Sequence, residues 1–160
     1  MNLNAALAEQ VKPVLGLLGT VPSTSTPAYV SLKNYERIAI VILVKNATTV
    51  TGSAITLKQA TSIAAAGEKA LAFTVAKRNI DLGAGDTLAD FTVASNTFTT
   101  DSTNSKNLMY VIDVKAEDLD VNGGFDCIRA GTGDATAATV TVLYMLYGAK
   151  FSTQPSAVVD

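Results

Sequence analysis

Ile38-Ala39-Ile40-Val41-Ile42-Leu43-Val44 is the stretch on which the fold turns. Five of its seven residues are isoleucine or valine, and β-branched side chains favour strands over helices. Successive side chains of a strand point to opposite faces. Ile38, Ile40, Ile42 and Val44 therefore share one face, and Ala39, Val41 and Leu43 share the other. Both faces are apolar, so this strand is expected to need cover on two sides. The run is also too short to span a bilayer, which takes about 20 apolar residues.

The same period of two recurs along the chain from residue 28. Ser53 to Ala60 alternates Ile55 and Leu57 with Thr56 and Lys58. Leu71, Phe73 and Val75 predict a further strand, followed by Ala89, Phe91 and Val93 and by a short partner from Thr97 to Thr100. Leu108, Tyr110, Ile112 and Val114 form a strong strand, and Phe125 to Ala130 another. Thr139 to Tyr147 closes the set, with Val140, Val142, Tyr144 and Leu146 on one face. Tyr144 and Tyr147 fall on opposite faces, so at most one belongs to the core. Turn residues separate these runs at Asp81–Asp86, Asp101–Ser105, Asn122–Gly124 and Gly131–Asp134. Seven to nine short strands at this spacing predict an all-β domain, a jelly-roll-like β-sandwich.

Residues 2–18 have a different rhythm. Leu3, Leu7, Val11, Val14 and Leu18 fall on one stripe of a helix. Pro13 interrupts it, because proline lacks an N–H and clashes with the preceding turn. The expectation is a helix of two or three turns, broken near Lys12. Residues 19–27, rich in Ser, Thr and Pro, read as a linker. The chain thus divides into an N-terminal arm and linker (1–27), a β-sandwich domain (28–151) and a C-terminal tail (152–160). The arm either packs on its own domain or docks on a neighbouring subunit.

Composition narrows the chemistry. The 160 residues are 48% hydrophobic but only 16% charged, against a usual charged share of about 25%. A net charge of −2 gives no electrostatic footprint for nucleic acid or an anionic membrane. The start of the chain lacks the basic residue and unbroken apolar stretch of a signal peptide, and a soluble protein is expected. There is no histidine, which removes the commonest acid–base residue and metal ligand. The lone cysteine, Cys127, has no histidine to activate it and sits in an apolar strand, where a buried thiol is inert.

Three motifs deserve weighing against simpler readings. Asp118-Leu119-Asp120-Val121-Asn122-Gly123 matches the opening of a calcium loop, with Asp126 at its ninth position. The twelfth position, which needs a bidentate glutamate, is Arg129, so an acidic turn between strands is the better reading. Gly83-Ala84-Gly85 and Gly131-Thr132-Gly133 lack the following Lys-Ser/Thr of a phosphate loop and read as turns. No catalytic residue, cofactor site or metal site is assigned, and no enzymatic activity is expected.

Two longer stretches carry a resemblance. Ile55-Thr-Leu-Lys-Gln-Ala-Thr-Ser-Ile-Ala-Ala-Ala-Gly-Glu-Lys-Ala-Leu-Ala-Phe73 resembles a pattern in small structural proteins of tailed bacteriophages, a strand, Gln-Ala-Thr, a glycine turn and Lys-Ala-Leu. Tyr110-Val-Ile-Asp-Val-Lys-Ala-Glu-Asp-Leu-Asp120 with Gly124-Phe-Asp-Cys-Ile-Arg129 resembles a second pattern of that group, a long strand, an acidic turn and a Phe-Asp strand. Together they span about residues 28–150 and leave the arm outside. The resemblance implies a virion structural protein, made in the bacterial host cytoplasm and placed on the capsid exterior. It implies a decoration or cement protein that binds between major capsid protein subunits, itself a homotrimer. A head–tail joining or tail-associated protein is the alternative, and a β-sandwich ligand-binding module a more distant one. The candidate contact residues are Leu3, Leu7, Val11, Val14 and Leu18 of the arm, with Ile38, Ile40 and Ile42 of the central strand. On this reading, deleting residues 1–20 weakens docking and leaves the β body folded.

Overall fold

The computed structural model describes residues 6–22 and 25–150. One helical turn, α1 (Leu7–Gln10), precedes eleven strands. These are β1 (Val11–Thr20), β2 (Val30–Ser31), β3 (Tyr35–Asn46), β4 (Ala54–Ala60), β5 (Lys69–Ala70), β6 (Val75–Asn79), β7 (Ala89–Thr92), β8 (Thr97–Thr99), β9 (Asn107–Lys115), β10 (Cys127–Thr132) and β11 (Ala138–Ala149). Seven have five residues or more and four are shorter. All pairings are antiparallel. One sheet has the order β1-β11-β3-β9-β6-β7; the other has β2-β10-β4-β5, with β8 also on β4. The chain is an all-β sandwich.

The core lies between the sheets and follows the alternation. In β3, Ile38, Ile40 and Ile42 are 0% exposed. Their register partners Leu146, Tyr144 and Val142 on β11, and Ile112 and Tyr110 on β9, are buried as well. Ile55 and Leu57 of β4 and Ile128 and Ala130 of β10 meet them from the second sheet. Phe73 and Phe91 pack edge-on against Phe98, and Tyr110 meets Phe91 edge-on and Phe98 at a tilt, at one end of this core.

The run Leu71–Val75 is not one strand. The chain changes sheets there, leaving β5 beside β4 and entering β6 beside β9. The crossing is held by Leu71 N–H donating to Leu57 O (3.1 Å) and Val93 N–H donating to Thr74 O (2.9 Å). At the end where β3 stops, the buried Asn46 amide donates to Asp101 O and Thr103 O, both at 2.9 Å. Among the described residues no helix is long and apolar enough to cross a membrane.

Candidate interaction surfaces

The N-terminal arm is a strand, not a broken helix. Among the described arm residues Leu7–Gln10 is helical and Val11–Thr20 is β1, paired along β11 from Val11–Tyr147 to Thr20–Val140. Proline inside a helix costs about 3 kcal/mol, whereas on an edge strand its missing N–H costs no ladder bond. Pro13 sits on such an edge, since among the described residues β1 has β11 as its one sheet neighbour. The expected linker also begins later, because Gly19 and Thr20 belong to β1.

This pairing sorts the arm residues. Val11 is 6% exposed and Val14 is half-buried against the core. Leu7 and Leu18 remain outside, 57% and 69% exposed. Leu3 lies outside the described residues. Leu15, which the helical stripe passed over, is exposed on the same strand. Two register shifts bracket Leu17, and the bulged Gly19 donates its N–H to Thr141 Oγ1 at 2.8 Å. The free edge therefore carries exposed leucines on an irregular, proline-bearing strand, a form that blunts indiscriminate edge pairing.

Ile38, Ile40 and Ile42 form the core of this chain and present no contact surface, because the alternation turns them all inward. The second apolar face read from the same strand is the one that stays accessible. Ala39 and Val41 are half-buried and Leu43 is exposed. Register carries this face across the sheet. Leu15, Leu143, Val41 and Val111 form one row from β1 to β9. Pro13, Met145 and Ala39 lead to Asp113 in the row on one side of it, and Thr141, Leu43 and Met109 form the row on the other. The signal for these residues was present in the sequence, as the odd-numbered half of Ile38–Val44.

Charges border this aliphatic centre, and most of them are paired within the chain. Arg37 donates from Nε to Asp113 Oδ1 at 3.2 Å, and Tyr147 donates its hydroxyl to Asp113 Oδ2 at 2.8 Å. The hydrogen bond to Asp113 raises the Arg37 pKa above its ordinary value. Lys77 on β6 pairs with Asp90 on β7 at 2.5 Å.

The outer face of the second sheet is polar. Glu68, in the loop after β4, accepts from Tyr29 Oη and from Arg129, each at 2.6 Å, and from Lys58 at 2.5 Å. The Lys58 hydrogen bond, followed by that of Tyr29, holds the Glu68 carboxyl below its usual range. Burial, then the bond to Glu68, pushes the Tyr29 hydroxyl up. This clamp covers a small cluster of Tyr29, Ala60 and Cys127, so the thiol is buried. The acidic turn is likewise internally occupied. Asp120 accepts from Gly123 N–H at 3.0 Å and from Lys69. Among the described residues, no three His, Cys, Asp or Glu side chains gather as a metal site.

Taken together, fold and surfaces define a two-sheet β-sandwich with one polar outer face, one aliphatic outer face and a leucine-bearing edge. No protein-family model, curated protein or solved structure significantly matches the chain.

Proposed function

We propose that this chain is a structural protein of a tailed-bacteriophage virion, a decoration or cement protein on the capsid exterior that binds between major capsid protein subunits. The observation that carries the reading is the N-terminal edge, with Leu7 of α1 and Leu18 of β1 exposed beside a rigid sandwich. Exposed apolar side chains grouped on a folded body mark protein contacts rather than chemistry. The likeness of residues 55–73 and 110–129 to small phage structural proteins supports it. These two stretches also meet in the fold: Arg129 pairs with Glu68, Lys69 pairs with Asp120, and Asp120 N–H donates to Gln59 Oε1 at 2.8 Å.

A cement protein needs stiffness and many copies more than strong single contacts, because many weak sites act together. The test is to quantify the chain by mass in particles purified from the host that makes it. The expected result is on the order of hundreds of copies per particle, lost when Leu7 and Leu18 are both replaced by Asp. A count of about 6 or 12, the number a closed ring provides, would overturn the reading in favour of a head–tail joining part. Absence from particles would overturn it altogether.

A further inference from the structure

We propose that the outer face of the six-stranded sheet is a two-fold interface between two copies of this chain, sheet packed on sheet. The argument begins with what that face is made of. Its central row runs Leu15, Leu143, Val41, Val111 from the β1 edge to β9, without a charged side chain until Lys77 on β6. Such a continuous aliphatic face on one side of a sheet is ordinarily covered, since an antiparallel sheet that faces water alternates apolar-in with polar-out. The second sheet of this chain does so, presenting Lys58 and Arg129 outward; the first does not.

The charges favour a copy of the same chain as the occupant. A two-fold interface sets a patch against itself, so any net charge on it meets its like. Here Arg37 is bonded to Asp113, Lys77 to Asp90 and Lys115 to Glu117, so most charge around the face is compensated within the chain, and Lys45 stands at the rim, away from the central row. A partner of strong opposite charge finds nothing to recognise. The arrangement also has an aliphatic centre and a polar rim, the anatomy of a specific protein interface.

Size agrees. At about 4.8 Å between strands and about 3.4 Å per residue, the sheet offers a face of roughly 600–1,000 Å². A stable interface takes about 800 Å² from each partner. Two such faces stack about 10 Å apart, as sheets do inside a sandwich. A single broad patch that fits itself closes as a dimer, whereas a three-fold ring needs two different patches per subunit. The inference therefore departs from the homotrimer that the phage resemblance implies, and it does not depend on where the protein works.

The test is the molar mass of the full chain in solution, by light scattering and sedimentation equilibrium over a range of micromolar concentrations. The expected mass is twice the 16.6 kDa of one chain. Val111→Asp and Leu143→Glu, both on the accessible face, are expected to weaken dimerisation by ~30-fold or more, as for the central residues of other interfaces. Their circular dichroism and near-ultraviolet spectra should stay native. Leu43→Lys, at a position 37% exposed, keeps the test valid should either of the others misfold. Ile63→Glu, on a different exposed site, should leave the dimer intact. A wild-type monomer, a trimer, or folded face variants that remain dimeric would each overturn the proposal. A variant lacking residues 151–160 that dimerises only once the tail is removed would also overturn it, by showing that the tail is what covers the face.

Discussion

Gly16 and Tyr144 show how a single pair of residues ties the arm to the body. A Cβ built on Gly16 would lie 2.5 Å from Cε2 of Tyr144, so the ring rests directly on the glycine. The Tyr144 side chain is fully buried, yet its hydroxyl has work on both sides. It donates to Ala28 O at 3.0 Å and accepts from Ala130 N–H at 3.2 Å. One side chain of β11 thus touches β1, the segment before β2 and β10. Gly16→Ala is expected to destabilise the fold by about 1–3 kcal/mol, the usual cost of forcing extra atoms into a packed site. Tyr144→Phe should cost about 1–3 kcal/mol, because a buried amide and carbonyl lose their partner. Chemical denaturation of each variant checks these values. The sequence puts Tyr144 on one face with Val140, Val142 and Leu146, opposite Tyr147, but holds no sign of Gly16 beneath it. That contact joins residues far apart in the chain, and no local period reports it.

At the scale of elements, legibility followed pairing. β3, β4, β9 and β11 were all readable, because each buries one clean alternating face. β1 was misread as a helix for a physical reason. Its bulges at Gly16 and between Leu17 and Thr20 break the period of two, and the shifted leucines mimic a helical stripe. Pro13 was the correct warning, since a strand edge accommodates it and a helix does not. The correction changes what truncation should do. β1 supplies Leu17 to the core, packs Val14 against it and covers one flank of β11. Deleting residues 1–20 is therefore expected to strip a core strand and lower the melting temperature steeply or prevent folding. Leu7→Ala in α1 should leave the melting temperature within a few degrees, as α1 buries none of its own residues. Thermal melts followed by circular dichroism separate the two outcomes. A 1–20 deletion with native stability would mean that the β1–β11 pairing contributes little.

The whole molecule responds to pH in a way set by its composition. With no histidine, the chain lacks the side chain that normally changes charge between pH 5 and 8. The groups that the fold perturbs all move away from neutrality. Hydrogen bonds from Lys58, Lys106 and Lys69 lower the pKa values of Glu68, Asp81 and Asp120 below 4.5, 3.8 and 3.8 respectively. Burial raises Tyr110 and Tyr147 above 10.0 and carries Tyr144 to about 12. A carboxylate whose pKa falls on folding stabilises the native state above its unfolded pKa, and that stability is lost as pH drops through the folded value. A tyrosine whose pKa rises on folding stabilises the native state below its unfolded pKa, and that stability is lost as pH climbs through the folded value. The expected stability curve is accordingly a plateau, level from about pH 5 to about pH 9, falling in acid below about 4 and in alkali above about 10. Tyr144→Phe should flatten the alkaline limb between pH 10 and about 12, where the wild-type hydroxyl is held neutral by burial. Melting temperatures measured across this range decide it. A maximum or a step inside the plateau would place a titrating group in the structural core, where the fold described here has none to supply among its perturbed residues. The same plateau should hold for the sheet-to-sheet dimer, because its central contacts are aliphatic and carry no titratable side chain.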